Sequence, residues 1–219
     1  MPSARAKRSV GTDAPRKEGP EKLTGRARYL DDLDLKGCWH GVTVRSTMPH
    51  AKVKGLRFDP AFPWAECVVA TAKDIPGANV VALIENDQPV LADGIVRHRE
   101  EPIALIAHKD RATAYAALNA VIVEYEPLEP VLTLDEALAG NPQVFKSFLI
   151  EKGDLERGFA QADLVVEGEY RVPHQEQAYI ENNAVAAYVE SDGTLVVYGS
   201  LQCPYYVHKA LMKAFGRGP

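Results

Sequence analysis

The chain has 219 residues, 46% hydrophobic and 25% charged, with 25 Lys and Arg against 30 Asp and Glu for a formal net charge of −5. That length allows one large domain or two small ones, each with its own core. The acidic balance, without a basic stripe beyond the opening residues, argues against nucleic acid or an anionic membrane as partner. No stretch approaches the roughly 18 apolar residues of a transmembrane span, and the opening residues lack a secretory apolar run, so the expected compartment is cytoplasmic.

In chain order, residues 1–21 read as a flexible arm, rich in Lys, Arg, Pro and Gly and poor in apolar side chains. Lys22 to Leu35 is a loop-rich entry with a turn at Gly25. Its Asp31, Asp32 and Asp34 suggest a cation site, but the glycine and terminal glutamate of a calcium loop are missing, which favours a solvated acidic turn. Cys38 to Arg45 alternates as a first strand, with Ala51 to Phe58 expected as its neighbour and Cys67 to Thr71 as a short buried strand. Ala72 to Gly77 is a turn, followed by a long connection from Ala78 to Leu91. Ile103 to Ala107, five apolar residues in a row, reads as a central strand. A helix then starts at His108-Lys109-Asp110, with Asp110 as N-cap and Ala112, Tyr115, Ala116 and Asn119 on one stripe. Val121 to Tyr125 is the next strand, with Val121, Val123 and Tyr125 on one face. Residues 22–128 thus form an α+β unit, ended by Pro127 and Pro130.

Residues 129–159 read as a connector with a short helix at Leu134 to Ala139 and another capped by Asp154, with Leu155, Phe159 and Ala162 inward. Leu164 to Val172 is the clearest amphipathic strand pattern, Leu164, Val166, Tyr170 and Val172 alternating against Val165, Glu167, Glu169 and Arg171. After a segment dense in amides and carboxylates, His174 to Glu181, two apolar runs (Ala184 to Glu190, Thr194 to Ser200) meet at Asp192-Gly193, a hairpin signal. Pro204 opens a helix with Val207, Leu211, Ala214 and Phe215 at helical spacing, closed by Gly216. Leu201-Gln202-Cys203, between strand and helix, places an amide and a thiol where small-molecule sites are often built. Taken by itself, an amide in such a loop is more commonly a turn or surface residue.

Few side-chain patterns carry chemistry. Cys38, Cys67 and Cys203 are dispersed, with no C-x-x-C pair, and the six histidines show no i,i+4 spacing on a helix. A metal held directly by protein side chains is therefore not expected, nor a disulfide framework. No phosphate loop, G-x-G-x-x-G or G-x-S-x-G is present. Glu176 and Glu181 could be a carboxylate pair or could bond backbone where a second unit begins. Periodicity and spacing give a two-part α+β chain with a polar loop near its end, and no activity.

Read in order, however, the segments resemble the molybdenum hydroxylases, the xanthine dehydrogenase and aldehyde oxidase family. The resemblance runs through VGTDAPRKEGPEKLTGRARYLDDL, VRSTMPHAKVKGL, ATAKDIPG, NDQPVLADGIVR, EEPIALIAHKDRATAYAA and VEYEPLEPVLTLDEAL. It continues through IEKGDLERGFAQADLVVEGEYRVPHQEQAYIE to GSLQCP. It implies that residues 22–128 are the family's α/β hammerhead domain, 129–159 a connector, and 160–219 the incomplete start of the first molybdopterin-binding domain. It further implies a molybdenum–molybdopterin cofactor, a glutamate base, and electrons leaving through 2Fe-2S clusters to FAD on partner chains or subunits. The substrate would be a heterocycle or an aldehyde. Gln202 matches the glutamine of the family's S-T-Q type loop, whose amide hydrogen-bonds an oxygen ligand of the molybdenum. An amide suits that role because it donates without adding charge or competing as a ligand.

This sequence departs from the family pattern at Gln177, where many members have histidine, at Leu201 in place of threonine, and at Glu100 in place of glycine. It also stops before the family's G-G-G-F-G-G-K segment and before its catalytic glutamate. The expectation is therefore a chain inactive alone, needing a C-terminal molybdopterin-binding chain together with iron–sulfur and FAD subunits. The alternative is a non-catalytic hammerhead module serving as a scaffold or binding protein without molybdenum.

Overall fold

In a computed structural model, which describes residues 10–81, 85–140 and 147–218, the chain runs through α1 (Gly19–Leu23), β1 (His40–Arg45), β2 (Ala51–Phe58), β3 (Val68–Thr71), β4 (Ile95–Val96), β5 (Pro102–His108), α2 (Arg111–Ala117) and β6 (Val121–Pro127). It continues through α3 (Leu134–Ala139), α4 (Leu155–Ala160), β7 (Val185–Val189), β8 (Leu195–Gly199) and α5 (Pro204–Phe215). Residues 1–9 of the expected arm, 82–84 of the long connection and 141–146 of the connector lie outside the described residues.

β5 is central, as its apolar run predicts, in the antiparallel sheet β1-β5-β3, with Val42 opposite Ile106 and Val44 opposite Ala104. Val42 and Val44 are buried and Gly41 and Arg45 exposed, as alternation demands. β2 is not the neighbour of β1. It pairs antiparallel with β4 and β6 in a second sheet, Val53 opposite Tyr125 and Leu56 opposite Val123. The reason lies in Ser46 to His50, which turns a corner instead of closing a hairpin. Buried Ser46 Oγ donates to the Met48 carbonyl at 2.8 Å and accepts from its amide at 3.1 Å, and Pro49 has no N–H to offer a ladder. The same corner holds Glu100. Its N–H donates to the Ser46 carbonyl at 2.8 Å while Ser46 N–H donates to the Glu101 carbonyl at 2.9 Å. Pinned this way, Glu100 sits at φ +67, a conformation glycine adopts without strain.

The two sheets share one interior. Val42, Ala104, Ile106 and Val121 form one buried cluster and Ala51, Ala92, Val96 and Ile103 another, while Leu56 and Val123 pack against both. Asp110 caps α2 as expected, Oδ2 accepting from Thr113 N–H at 2.7 Å. The buried face of that helix, however, is Ala114 and Ala117, and Tyr115 is 53% exposed. A seven-residue helix lying on a sheet needs small residues at the contact, and the larger aromatic is turned outward. Within the long connection, Asn79 imitates a strand neighbour: Nδ2 donates to the Leu91 carbonyl at 2.7 Å and Oδ1 accepts from Leu91 N–H at 3.0 Å.

The second half is thinner. α3 and α4 form where expected, capped by Thr133 and Asp154, but Phe159 is 64% exposed and Leu155 faces out, not inward. Leu164–Val172 forms no strand: Val166 is 84% and Tyr170 91% exposed. Alternation makes a segment competent for a sheet, but a strand exists only where another backbone satisfies its N–H and C=O groups. No described segment lies alongside it in a ladder. β7 and β8 do pair, across a turn with Gly193 at φ +88, where Asp192 Oδ1 accepts from Thr194 N–H at 2.8 Å.

Candidate functional site

The loop joining β8 to α5 is set by tight packing at one end and backbone handedness at the other. A Cβ on Gly199 would lie 2.8 Å from both the Ala184 carbonyl and Val185 Cγ1 and 3.2 Å from Leu201 Cγ, so Leu201 folds back over a strand end that only glycine permits. Ser200 N–H donates to the Ala184 carbonyl at 3.3 Å, the last bond of the hairpin. Cys203 then takes a left-handed conformation, φ +55 and ψ +62, and reverses the chain into Pro204, the first helical residue. Tyr206 N–H donates to the Cys203 carbonyl at 2.9 Å.

Gln202 lies between these fixed points. Half-buried Leu201 anchors one side, the strained Cys203 holds the other, and the Gln202 side chain is exposed. Its amide makes no hydrogen bond with the described residues, so both donor hydrogens remain available to a ligand. A neutral, outward amide on a loop fixed at both ends can donate to an oxo or carbonyl oxygen without altering local charge.

The other candidate groups have local explanations. Glu176 Oε1 accepts from the Gln177 backbone N–H at 3.1 Å, and among the described residues nothing links it to Glu181. Asp32 Oδ2 accepts from Tyr29 N–H at 2.9 Å and Asp34 lies 3.3 Å from Lys36 Nζ, so the acidic turn is internally satisfied. Among the described residues no group of three His, Cys, Asp or Glu side chains could hold a metal ion. His108, nearly buried, accepts from Asp110 N–H at Nδ1 (2.9 Å) and turns Nε2 toward Glu66, 3.6 Å away. Burial, then the neighbouring Glu66 carboxylate, pushes the Cys67 thiol up.

Sequence reasoning missed an open cleft of about 1350 Å³ between the segment before β1, α2 and the β7–β8 hairpin, lined by Trp39, His40, Arg111, Tyr115, Tyr188 and Tyr198 among others. Tyr188 and Tyr198 stack at 6.1 Å, and the neighbouring Tyr198 side chain pushes the Tyr188 hydroxyl pKa up. The aromatic residues were visible in the sequence, but nothing local signals that residues so far apart face one cleft. Gln202 does not line it.

Comparison with known proteins places this geometry. Residues 24–129 match the aldehyde oxidase and xanthine dehydrogenase a/b hammerhead domain, and residues 139–218 match the molybdopterin cofactor-binding domain. The chain is 33% identical over 208 residues to a probable xanthine dehydrogenase subunit of Bacillus subtilis, covering 91% of this chain and 28% of that protein. It is 31% identical over 206 residues to the nicotinate dehydrogenase large molybdopterin subunit of Eubacterium barkeri, covering 90% of this chain and 48% of that one. Among solved structures, the aldehyde oxidoreductase of Desulfovibrio gigas superposes with a TM-score of 0.79 at 27% identity, over 94% of this chain and 25% of that one. The chain thus spans less than half the length of these relatives. No helix among the described residues is long and apolar enough to cross a membrane. Two domain matches in the right order, and a superposition running through both, lead to one conclusion: this chain belongs to the xanthine dehydrogenase and aldehyde oxidase family of molybdenum hydroxylases, and carries its α/β hammerhead domain followed by the start of a molybdopterin-binding domain.

Proposed function

We propose that the chain is the N-terminal portion of a molybdenum-cofactor-dependent hydroxylase or dehydrogenase that oxidises a heterocycle or an aldehyde in the cytoplasm. Within it, residues 22–128 are the hammerhead domain and 160–219 the beginning of the cofactor domain, joined by a connector. The observation that carries the reading is the outward amide of Gln202, without a hydrogen-bond partner among the described residues, on a loop fixed by Gly199 and Cys203. Gln202 donates a hydrogen bond to an oxygen ligand of the cofactor's metal. Its neutrality leaves the charge of the site to the cofactor and substrate, and the reversal at Cys203 keeps the amide from sweeping the site. When bound, the molybdenum–pterin group supplies the oxygen-transfer and redox chemistry, and the polypeptide contributes orientation and electrostatics.

The exposed apolar face of residues 164–172 supports a further polypeptide in the assembly, because Val166 and Tyr170 gain about 2 kcal/mol each when fully covered. That polypeptide would bring the remaining cofactor contacts and the general base. Iron–sulfur and FAD subunits would carry electrons away; that two relatives are named as subunits supports a multi-subunit assembly. In a reconstituted holoenzyme, Gln202→Ala should leave assembly and molybdenum content intact and lower turnover by about 10- to 100-fold, the usual loss for a group supporting a metal's ligands. Unchanged turnover removes Gln202 from the site. If the purified chain alone carries molybdenum and oxidises substrate, the shared-chamber reading fails.

A further inference from the structure

An α-helix leaves its last four carbonyls without an intrahelical donor, and α5 satisfies only part of that demand itself. Gly216, at φ +61, turns the chain left-handed so that Arg217 N–H reaches the Met212 carbonyl at 3.0 Å and Gly216 N–H reaches Lys213 at 3.2 Å. These are the two bonds of a Schellman ending. The Ala214 carbonyl is one of the two left over. It accepts from Gly77 N–H at 2.8 Å, and the Lys213 carbonyl takes a second donor, Ala78 N–H, also at 2.8 Å. Both donors belong to the hammerhead domain, so one domain completes the helix cap of the other.

The fit depends on a missing side chain. A Cβ on Gly77 would fall on the Lys213 carbonyl oxygen, 2.5 Å from Gly216 N and 3.0 Å from the Ala214 oxygen. These are backbone atoms that cannot swing aside. In the other direction, a Cβ on Gly216 would meet Gly77 Cα at 3.5 Å, an ordinary contact. Beside this, Lys213 Nζ donates to Asn86 Oδ1 at 3.2 Å, a second clasp to the same connection.

We propose that the loop at Gly77 and Ala78 is the seat that fixes α5, and with it the Leu201–Cys203 loop at the opposite end of the helix, against the hammerhead domain, with Gly77 as a positioning residue. α5 has 12 residues and is a rod of about 18 Å. A tilt of about 10° at the seat carries the far end about 3 Å, where about 1 Å of misplacement already matters to a reacting site. The consequence for turnover rests on the reading of Gln202 given above; the seat itself is read without any cofactor.

The chain carries its own reporters. Cys38, in the hammerhead domain, and Cys203, at the start of α5, are exposed, whereas Cys67 is half-buried with a raised thiol pKa and is removed as Cys67→Ala. Spin labels on Cys38 and Cys203 of the full chain report the separation across the seat. The expected result is one narrow distance distribution in the parent and, in Gly77→Val, a broadened one displaced by about 3 Å or more. Gly216→Ala serves as the control: it strains a left-handed residue and lowers the melting temperature, but leaves the seat open, so the distribution stays narrow. A folded Gly77→Val with the parent's distances overturns the proposal, as does a broad distribution in the parent or equal broadening in Gly216→Ala. Should Gly77→Val fail to fold, Gly77→Ala is read by the same criteria. In the reconstituted holoenzyme, displaced distances with unchanged turnover would keep the seat and remove the role of Gln202.

Discussion

Glu100→Gly is expected to stabilise the hammerhead domain. Glu100 is held at φ +67 by its own N–H on the Ser46 carbonyl, by Ser46 N–H on Glu101, and by Arg45 Nη1, which donates to the Glu100 carbonyl at 2.9 Å. Those partners bind backbone atoms and are indifferent to the side chain. A left-handed conformation costs a residue with a Cβ about 1–2 kcal/mol. Glycine removes that cost but loses about 0.4–1 kcal/mol through its freer unfolded chain. The exposed Glu100 side chain makes no ion pair among the described residues, so nothing else is given up. The net gain is about 0.5–1 kcal/mol, worth about 0.2–1 M in urea midpoint. Both tryptophans, Trp39 and Trp64, lie in this domain, so urea unfolding followed by tryptophan fluorescence reads it directly. Glu100→Ala, which keeps the Cβ, should leave the midpoint near that of the parent. Equal midpoints for the glycine and alanine variants would refute the strain argument.

Acid should destabilise the fold in a defined window. Hydrogen bonds from Lys52 and Lys54, reinforced by their charges, hold Glu126 down at about 2 from an ordinary 4.5. Backbone N–H donors lower Asp74 and Asp110 likewise. Because these pKa values are depressed by folding, their contribution is complete above about pH 4.5 and is lost as pH falls toward 2; Glu126→Gln should flatten that limb in an acid titration followed by circular dichroism. Asn79→Ala should cost about 1–3 kcal/mol by stranding the buried Leu91 backbone N–H and C=O. Asn79→Asp, which keeps only the acceptor, should fall between parent and alanine in the same urea assay.

Much of the architecture of both domains could be read from local pattern. The alternation in β1, the five-residue apolar run in β5, the Asp110 cap and the Asp192-Gly193 turn each state a local preference that the fold keeps. Pairing was less legible. β2 follows β1 in sequence yet joins β6, because the Ser46 corner redirects the chain and nothing in the pattern of either strand names its partner. Leu164–Val172 shows the converse case, a strand pattern without a ladder, since sheet structure belongs to pairs and not to segments. The glycine that the family resemblance leads one to expect where this chain has Glu100 became intelligible only from the left-handed backbone there, φ +67.

By itself the sequence determined most of the elements, many of the caps and turns that bound them, and, through its resemblance to a family, the domain types and the residue to inspect at position 202. These are properties of short windows, where propensity and periodicity act. Tertiary structure alone decided that Gly77 meets the end of α5, that Trp39 and Tyr188 share a cleft, and that Gln202 presents its amide outward. Such contacts join residues far apart along the chain, and their geometry is fixed by packing and backbone handedness that no local pattern encodes.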